Sequence, residues 1–233
     1  MIENLPVYIS LIFALTTLLT LFLFYRAVRK STFAKKAVTV LVCLTIWLIL
    51  QAALTLNGVY SDDTTSIPPK IVLFGVLPAI LTIILLFITR NGRQLVDALP
   101  LWDITFLNIV RIPVELILFW LFLNKAVPQL MTFEGRNFDI IAGITAPLVA
   151  YFGITKKAFG RNVILVWNFI CLALLFNIVI NALLSAPSPM QKFGFDQPNI
   201  AIFYFPFSWL PTFIVPVVLL THLASIRQLM KSR

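Results

Sequence analysis

The sequence predicts an all-α integral membrane protein of seven transmembrane helices, and three observations predict it. Of the 233 residues, 60% are hydrophobic and only 12% charged, where a soluble domain carries roughly 25% charged residues. The apolar residues fall into seven runs, near 6–25, 37–57, 70–89, 101–123, 138–154, 163–185 and 203–225, each close to the ~20 residues a helix needs to cross ~30 Å of hydrocarbon. Basic residues gather in every second connection between the runs. A transmembrane barrel would show segments of ~10 residues alternating apolar and polar. These runs do not alternate, and in lipid they satisfy their own backbone only as helices.

The first run follows Met1 to Pro6, which carries Glu3 and no basic residue, and no small-residue cleavage site comes after it. It reads as a retained span rather than a signal peptide. Arg26, Arg29, Lys30, Lys35 and Lys36 separate it from the second run, which contains Gln51. Arg90 and Arg93 follow the third. The fourth begins after Pro100 and contains Asp103, Arg111, Pro113 and Glu115. The loop from Thr132 to Asp139, TFEGRNFD, leads into the fifth, which Lys156, Lys157 and Arg161 follow. The sixth contains Asn177 and Asn181. The seventh contains Tyr204, Pro206, Pro211, Pro216 and His222, and Arg227, Lys231 and Arg233 end the sequence.

Thirteen of the 18 Lys and Arg lie on one predicted side, and four, Lys70, Lys125, Arg136 and Lys192, on the other. That asymmetry places the N-terminus outside and the C-terminus in the cytoplasm. Glu3, Asp62, Asp63, Glu134, Asp139 and Asp196 then all fall outside. No long polar region is left for a soluble domain, so residues 1–233 form a single membrane domain. The expected location is a cell membrane, the bacterial inner membrane or its equivalent. The formal charge of +9 is spent on orientation, and no nucleic-acid partner is implied. The bilayer is the expected partner, with an unknown small molecule or lipid as ligand. Homo-oligomerisation is left open, although no small-residue glycine motif signals close helix dimerisation.

The first basic loop, TFAKKAV from Thr32, and the third, AFGRNVI from Ala158, resemble each other. At the same spacing Gln51 falls on Asn177, and after a longer loop Leu77-Pro78 falls on Leu210-Pro211. A 3+1+3 parallel repeat follows, with the fourth helix as connector. This plan resembles that of the SWEET and PQ-loop solute carriers, and also that of the microbial rhodopsins, in architecture alone. The carriers' motif is missing, because the sole Pro-Gln pair, Pro128-Gln129, lies in a loop. The seventh run has no lysine, which excludes a retinal Schiff base. The resemblance to the carriers implies a peripheral connector helix.

Arg111 and Glu115 are the candidate site. A charge near the bilayer centre costs about 2.5–3.5 kcal/mol on insertion scales, and ionisable residues there usually have a partner or a task. Four residues apart, they share a helix face and can pair. Pro113 between them frees the carbonyl of Ile109, to which Arg111 can also donate. The ordinary reading is a buried pair that fixes packing; the functional one is a substrate or proton site. Gln51, Asn177, Asn181 and Tyr204 reach a similar depth and are expected to join Arg111 and Glu115 in lining a polar cavity. As single residues, the amides among them are more simply helix-to-helix glue, worth ~0.6 kcal/mol each. Pro206, Pro211 and Pro216 mark the seventh helix as a candidate gate, though proline is also common in passive spans.

Asp103 reads as a first-turn acid stabilised by the helix dipole, with a proton relay to His222 as the sharper alternative. Asn137 is expected to cap the fifth helix with Asp139 in its first turn, and Glu134 and Arg136 to pair at the surface or cover the cavity. One histidine and two span-embedded cysteines, Cys43 and Cys171, make no metal site, and no cofactor motif is present. Three functions fit. One is a carrier or binder of a small polar or anionic solute at Arg111 and Glu115, linked to protons. Another is an intramembrane enzyme on a lipid or isoprenoid, with Glu115 or Asp103 as general acid. The third is a structural subunit of a membrane complex.

Overall fold

The computed structural model describes residues 2, 5–62 and 64–231; Glu3, Asp63 and Arg233 lie outside the described residues. Those residues form helices and no strand. The helices are α1 (Val7–Arg29), α2 (Ala34–Leu56), α3 (Val72–Ile88), α4 (Arg90–Ala98), α5 (Leu101–Leu123), α6 (Asp139–Thr155), α7 (Arg161–Ser185) and α8 (Leu210–Lys231). Five of them, α1, α2, α5, α7 and α8, are long and apolar enough to cross a membrane. α3 and α4 form a pair bent by 92°, and α6 is a shorter apolar helix. Leu11, Leu18, Val42, Ile46, Ile49, Leu85 and Ile170 are among many large apolar side chains left exposed along these helices. So much exposed apolar surface marks a membrane or partner interface rather than a water-facing one.

The bend between α3 and α4 has a local cause. Thr89 is extended at ψ 149, and its hydroxyl accepts a hydrogen bond from the Gly92 N–H at 3.2 Å, which caps α4. Arg90 and Arg93, expected in a plain loop, therefore open a short helix with Gly92 and Val96 buried beneath it. Leu99 is extended because Pro100 follows it, and α5 starts there.

The last helix begins at Leu210 instead of near residue 203. Pro206 and Pro211 each lack a donor and disfavour helix in the residue before them. Pro211 is tolerated in the first turn, where no donor is needed. Pro206 lies in the lead-in, and only Pro216 stands in the helix beyond its first turn.

α8 is the most enclosed span, with 72% of its apolar window buried, and α5 follows at 50%. α5 packs against α1, α6 and α8, and α8 against α7, α5, α3 and α4. α2 is the least enclosed at 17%. Two prolines on its neighbours dock it. Pro216 and Pro78 remove the N–H groups that would have reached the carbonyls of Thr212 and Phe74. Trp47 Nε1 donates to Thr212 O at 3.0 Å, and Gln51 Nε2 to Phe74 O at 3.1 Å. Trp209 on the lead-in to α8 donates back to Leu48 O at 3.0 Å.

Candidate functional site

Arg111 is 3% exposed in the middle of α5. Its Nε stands 3.3 Å from Asp139 Oδ2, and both of its terminal nitrogens are 3.4 Å from the carbonyl of Cys171 on α7. Asp139 opens α6. The approach of the two helices explains the pairing: a Cβ on Gly143, one turn past Asp139, would lie 3.0 Å from the backbone nitrogen of Ile112. Only a residue without a side chain lets α6 lie this close to Arg111.

Glu115, 1% exposed, takes a different partner. Asn137 Nδ2 donates to both of its oxygens, at 2.6 and 2.7 Å, and to Met131 O at 3.1 Å. Asn137 Oδ1 meanwhile accepts from the Asp139 N–H at 3.1 Å, so one amide bonds the first residue of α6 and holds Glu115, while Phe138, not Asn137, occupies the N-cap position. The TFEGRNFD loop builds this. At Gly135 the chain folds onto the backbone of Gln129 and Leu130, with no room for a Cβ. Asn177 Nδ2 on α7 donates to the carbonyl of Arg136 at 2.7 Å, and Asn181 Nδ2 to Asn177 Oδ1 at 3.2 Å. The two amides of α7 thus tether the loop that carries Asn137.

The expected pairing of Arg111 with Glu115 is replaced by two separate pairings. Helix spacing permits the contact, but Asp139 and Cys171 O offer Arg111 partners on neighbouring helices. The freed carbonyl of Ile109 is likewise passed over for Cys171 O. Gln51 is elsewhere, bonded to Phe74 O and to the Tyr60 hydroxyl at 2.6 Å. Burial pushes the Tyr60 phenol up to about 12, so it acts as the donor to Gln51. Tyr204 packs beside Tyr60 and Ile71. Gln51 and Tyr204 therefore belong to the α2–α3–α8 docking, whereas Asn177 and Asn181 support the Arg111 centre. Arg136 lies over the Phe193 ring at 5.9 Å, and Glu134 is exposed.

Asp103 anchors α5 to α1. Arg26 Nε reaches it at 2.9 Å and Lys30 Nζ at 3.2 Å, with the Arg26 guanidinium over the Trp102 ring at 5.5 Å. His222 does not bond to it; its Nδ1 stands 2.9 Å from Asn168 Oδ1 on α7. Thr105, Asn108, Arg111 and Glu115 form one buried stripe along α5, spaced by three or four residues as one helix face requires. Hydrogen-bonding capacity along it is unfilled: Thr105 Oγ1, Asn108 Oδ1, His222 Nε2, Arg111 Nε and Asp139 Oδ1 are buried without a hydrogen bond. Buried polar atoms are rarely left so, and each asks for an explanation in function or water. In the sequence Asp139 and Asn137 read as a helix start outside, and nothing there singles out Thr105 and Asn108. The density of polar residues in TFEGRNFD was the available signal.

Residues 68–230 match the model of a domain of unknown function, DUF8737. The chain belongs to this family. The match to DUF8737 takes in α3 to α8 and every residue of the Arg111 centre. No match is found among curated proteins or among solved structures. Within the DUF8737 span no group of three or more His, Cys, Asp and Glu side chains is gathered as metal ligands among the described residues.

Proposed function

We propose that this chain is a seven-span carrier in a cell membrane, N-terminus outside, that moves a small polar or anionic solute together with a proton. The observation that carries the reading is the make-up of the buried centre: two carboxyls, Asp139 paired with Arg111 and Glu115 held one turn along α5 by Asn137, accompany a single guanidinium. One negative charge is in surplus, and an uncompensated buried charge is strongly unfavourable. A proton or a bound cationic group balances it. Asp139 sits where the anionic group of a solute would sit, as a tethered stand-in that closes the site. Solute would displace Asp139 from Arg111, and a proton on one of the two carboxyls would neutralise what is displaced.

Seven spans require α3 to cross by itself, with α4 turned off it on the cytoplasmic side, and α6 as another span, and the charge asymmetry then supports the orientation. Pro216, with Thr212 O held by Trp47, is the natural flexing point of α8, while Pro211 and Pro206 lie at and before its start. The 3+1+3 repeat belongs to the same proposal, but α5 is central where the carrier resemblance implies a peripheral connector. The enzyme reading lacks comparable support: neither of two apolar cavities, one among α1, α2, α3 and α8 and one among α3, α7 and α8, is lined by Glu115 or Asp103.

The test starts with mass spectrometry of small molecules that copurify with the gently solubilised protein. Uptake of the identified solute into proteoliposomes should follow an imposed pH gradient. Glu115→Gln should remove the pH dependence while the protein still folds. Undiminished pH-driven uptake by Glu115→Gln would remove the proposal.

A further inference from the structure

At the end of the bundle where α4 lies, positive charge exceeds its partners. Among the described residues, the two side-chain carboxylates at that end are both occupied: Asp103 by Arg26 and Lys30, Asp97 by Arg227 and Lys231. Lys35, Lys36, Arg90 and Arg93 are exposed, and none of the four pairs with a carboxylate among the described residues. Arg93 reaches only the Ile88 carbonyl, at 2.9 Å, and Lys36 only the Phe33 ring, at 5.6 Å.

An apolar cavity of about 410 Å³ lies among α1, α2, α3 and α8, and its lining comes within three or four residues of these charges, at Thr39 and Leu86. Thr39, Cys43 and Trp47 of α2, Leu86 of α3, Leu95 of α4 and Pro216 of α8 are among its walls. Lys35 and Lys36 stand one turn before Thr39, on the helix face that continues into the cavity. Arg90 lies four residues after Leu86, just beyond the α3–α4 elbow. From Thr39 to Trp47 the cavity runs for about 12 Å along α2, at ~1.5 Å per residue.

We propose that this cavity binds an anionic phospholipid, with an acyl chain between α2 and α8 and the phosphate at Lys35, Lys36 and Arg90. The volume lies within the ~300–1,000 Å³ of ordinary ligand pockets. Its walls offer a polar headgroup almost nothing, so only a chain suits the interior. The charged residues within four positions of Thr39 and Leu86, namely Lys35, Lys36 and Arg90, are all cations, which suits a net anionic headgroup and repels the ammonium of a zwitterionic one. Basic pockets between transmembrane helices hold anionic lipid headgroups in this way. Each such cation contributes roughly fivefold in affinity, so three amount to roughly a hundredfold. The site shares no residue with the Arg111 centre, and the two proposals fail separately.

The test uses the full chain, delipidated in detergent and titrated with phosphatidylglycerol or with phosphatidylcholine of identical acyl chains. Native mass spectrometry should show phosphatidylglycerol retained roughly a hundredfold more strongly, as three cations together give. The combined Lys35→Gln, Lys36→Gln and Arg90→Gln variant should lose that preference. Cys43 provides a second readout on the unmodified protein, because it lines the cavity and is exposed while Cys171 is buried. Phosphatidylglycerol should slow alkylation of Cys43 by N-ethylmaleimide, and phosphatidylcholine should not. Equal retention of the two lipids, an unchanged preference in the variant, or Cys43 alkylation indifferent to phosphatidylglycerol would each overturn the proposal.

Discussion

Asn137 holds both oxygens of Glu115 through one amide nitrogen, and no other hydrogen bond to that carboxyl is present among the described residues. Hydrogen bonds to a charged group contribute about 1.5–3 kcal/mol, and a buried acceptor left without its donor costs its full desolvation. Asn137→Ala should therefore destabilise the protein by about 1.5–3 kcal/mol, read as a lower unfolding midpoint in detergent by circular dichroism. Adding Glu115→Gln should recover part of that loss, because the unpartnered group is then uncharged. A double variant that loses the full sum of both single effects would show that Asn137 acts through its bond to the Asp139 N–H instead. Asp97 offers a pH counterpart outside the spans. Its hydrogen bond from Arg227, at 2.7 Å, holds its carboxyl below the usual carboxylate value. A lowered folded value means that the stabilisation is fully present above the ordinary carboxylate pKa of ~3.9. It is lost as pH falls through the lower folded value. Asp97→Asn should thus be less stable than the parent at neutral pH, and the difference should vanish in strong acid, which thermal unfolding across a pH series will show.

At the scale of elements, prolines are partners in docking rather than breaks. Trp47 and Gln51, one turn apart on α2, take the two carbonyls that Pro216 and Pro78 leave free. Trp47→Phe should cost about 1–3 kcal/mol by stranding Thr212 O. In a Pro216→Ala background, where α8 supplies its own donor, the same change should cost distinctly less. Unfolding midpoints of the four proteins give that coupling directly, and additive effects would contradict the assignment. This pairing is invisible in the sequence, where nothing links a proline on one helix to an indole or amide on another and Gln51 falls with Arg111 by depth alone. Existence of the apolar helices was legible because runs of ~20 apolar residues admit no other backbone solution in lipid. Their breaks were less so: α4 is too short and polar to show as an apolar run, and the start of α8 depends on which of three prolines the helix tolerates.

For the whole molecule, α5 is the axis around which the candidate site is arranged. The sequence marked Arg111 and Glu115 by their charge alone, since no topology explains them. Their true partners lie 22 to 60 residues away, on the loop, α6 and α7. Such partners are set by helix packing, above all the close approach at Gly143, which no spacing rule within α5 encodes. The centre joins α5, α6 and α7 around two carboxyls and one guanidinium, so a proton that enters it bears on all three helices at once. Infrared difference spectra of the reconstituted protein, cycled between mildly acidic and alkaline buffer, measure that proton most directly. The account predicts a reversible carboxylic-acid carbonyl band, shifted in heavy water, that Glu115→Gln or Asp139→Asn removes and Asp97→Asn leaves in place. A spectrum identical in the parent protein, Glu115→Gln and Asp139→Asn would contradict it.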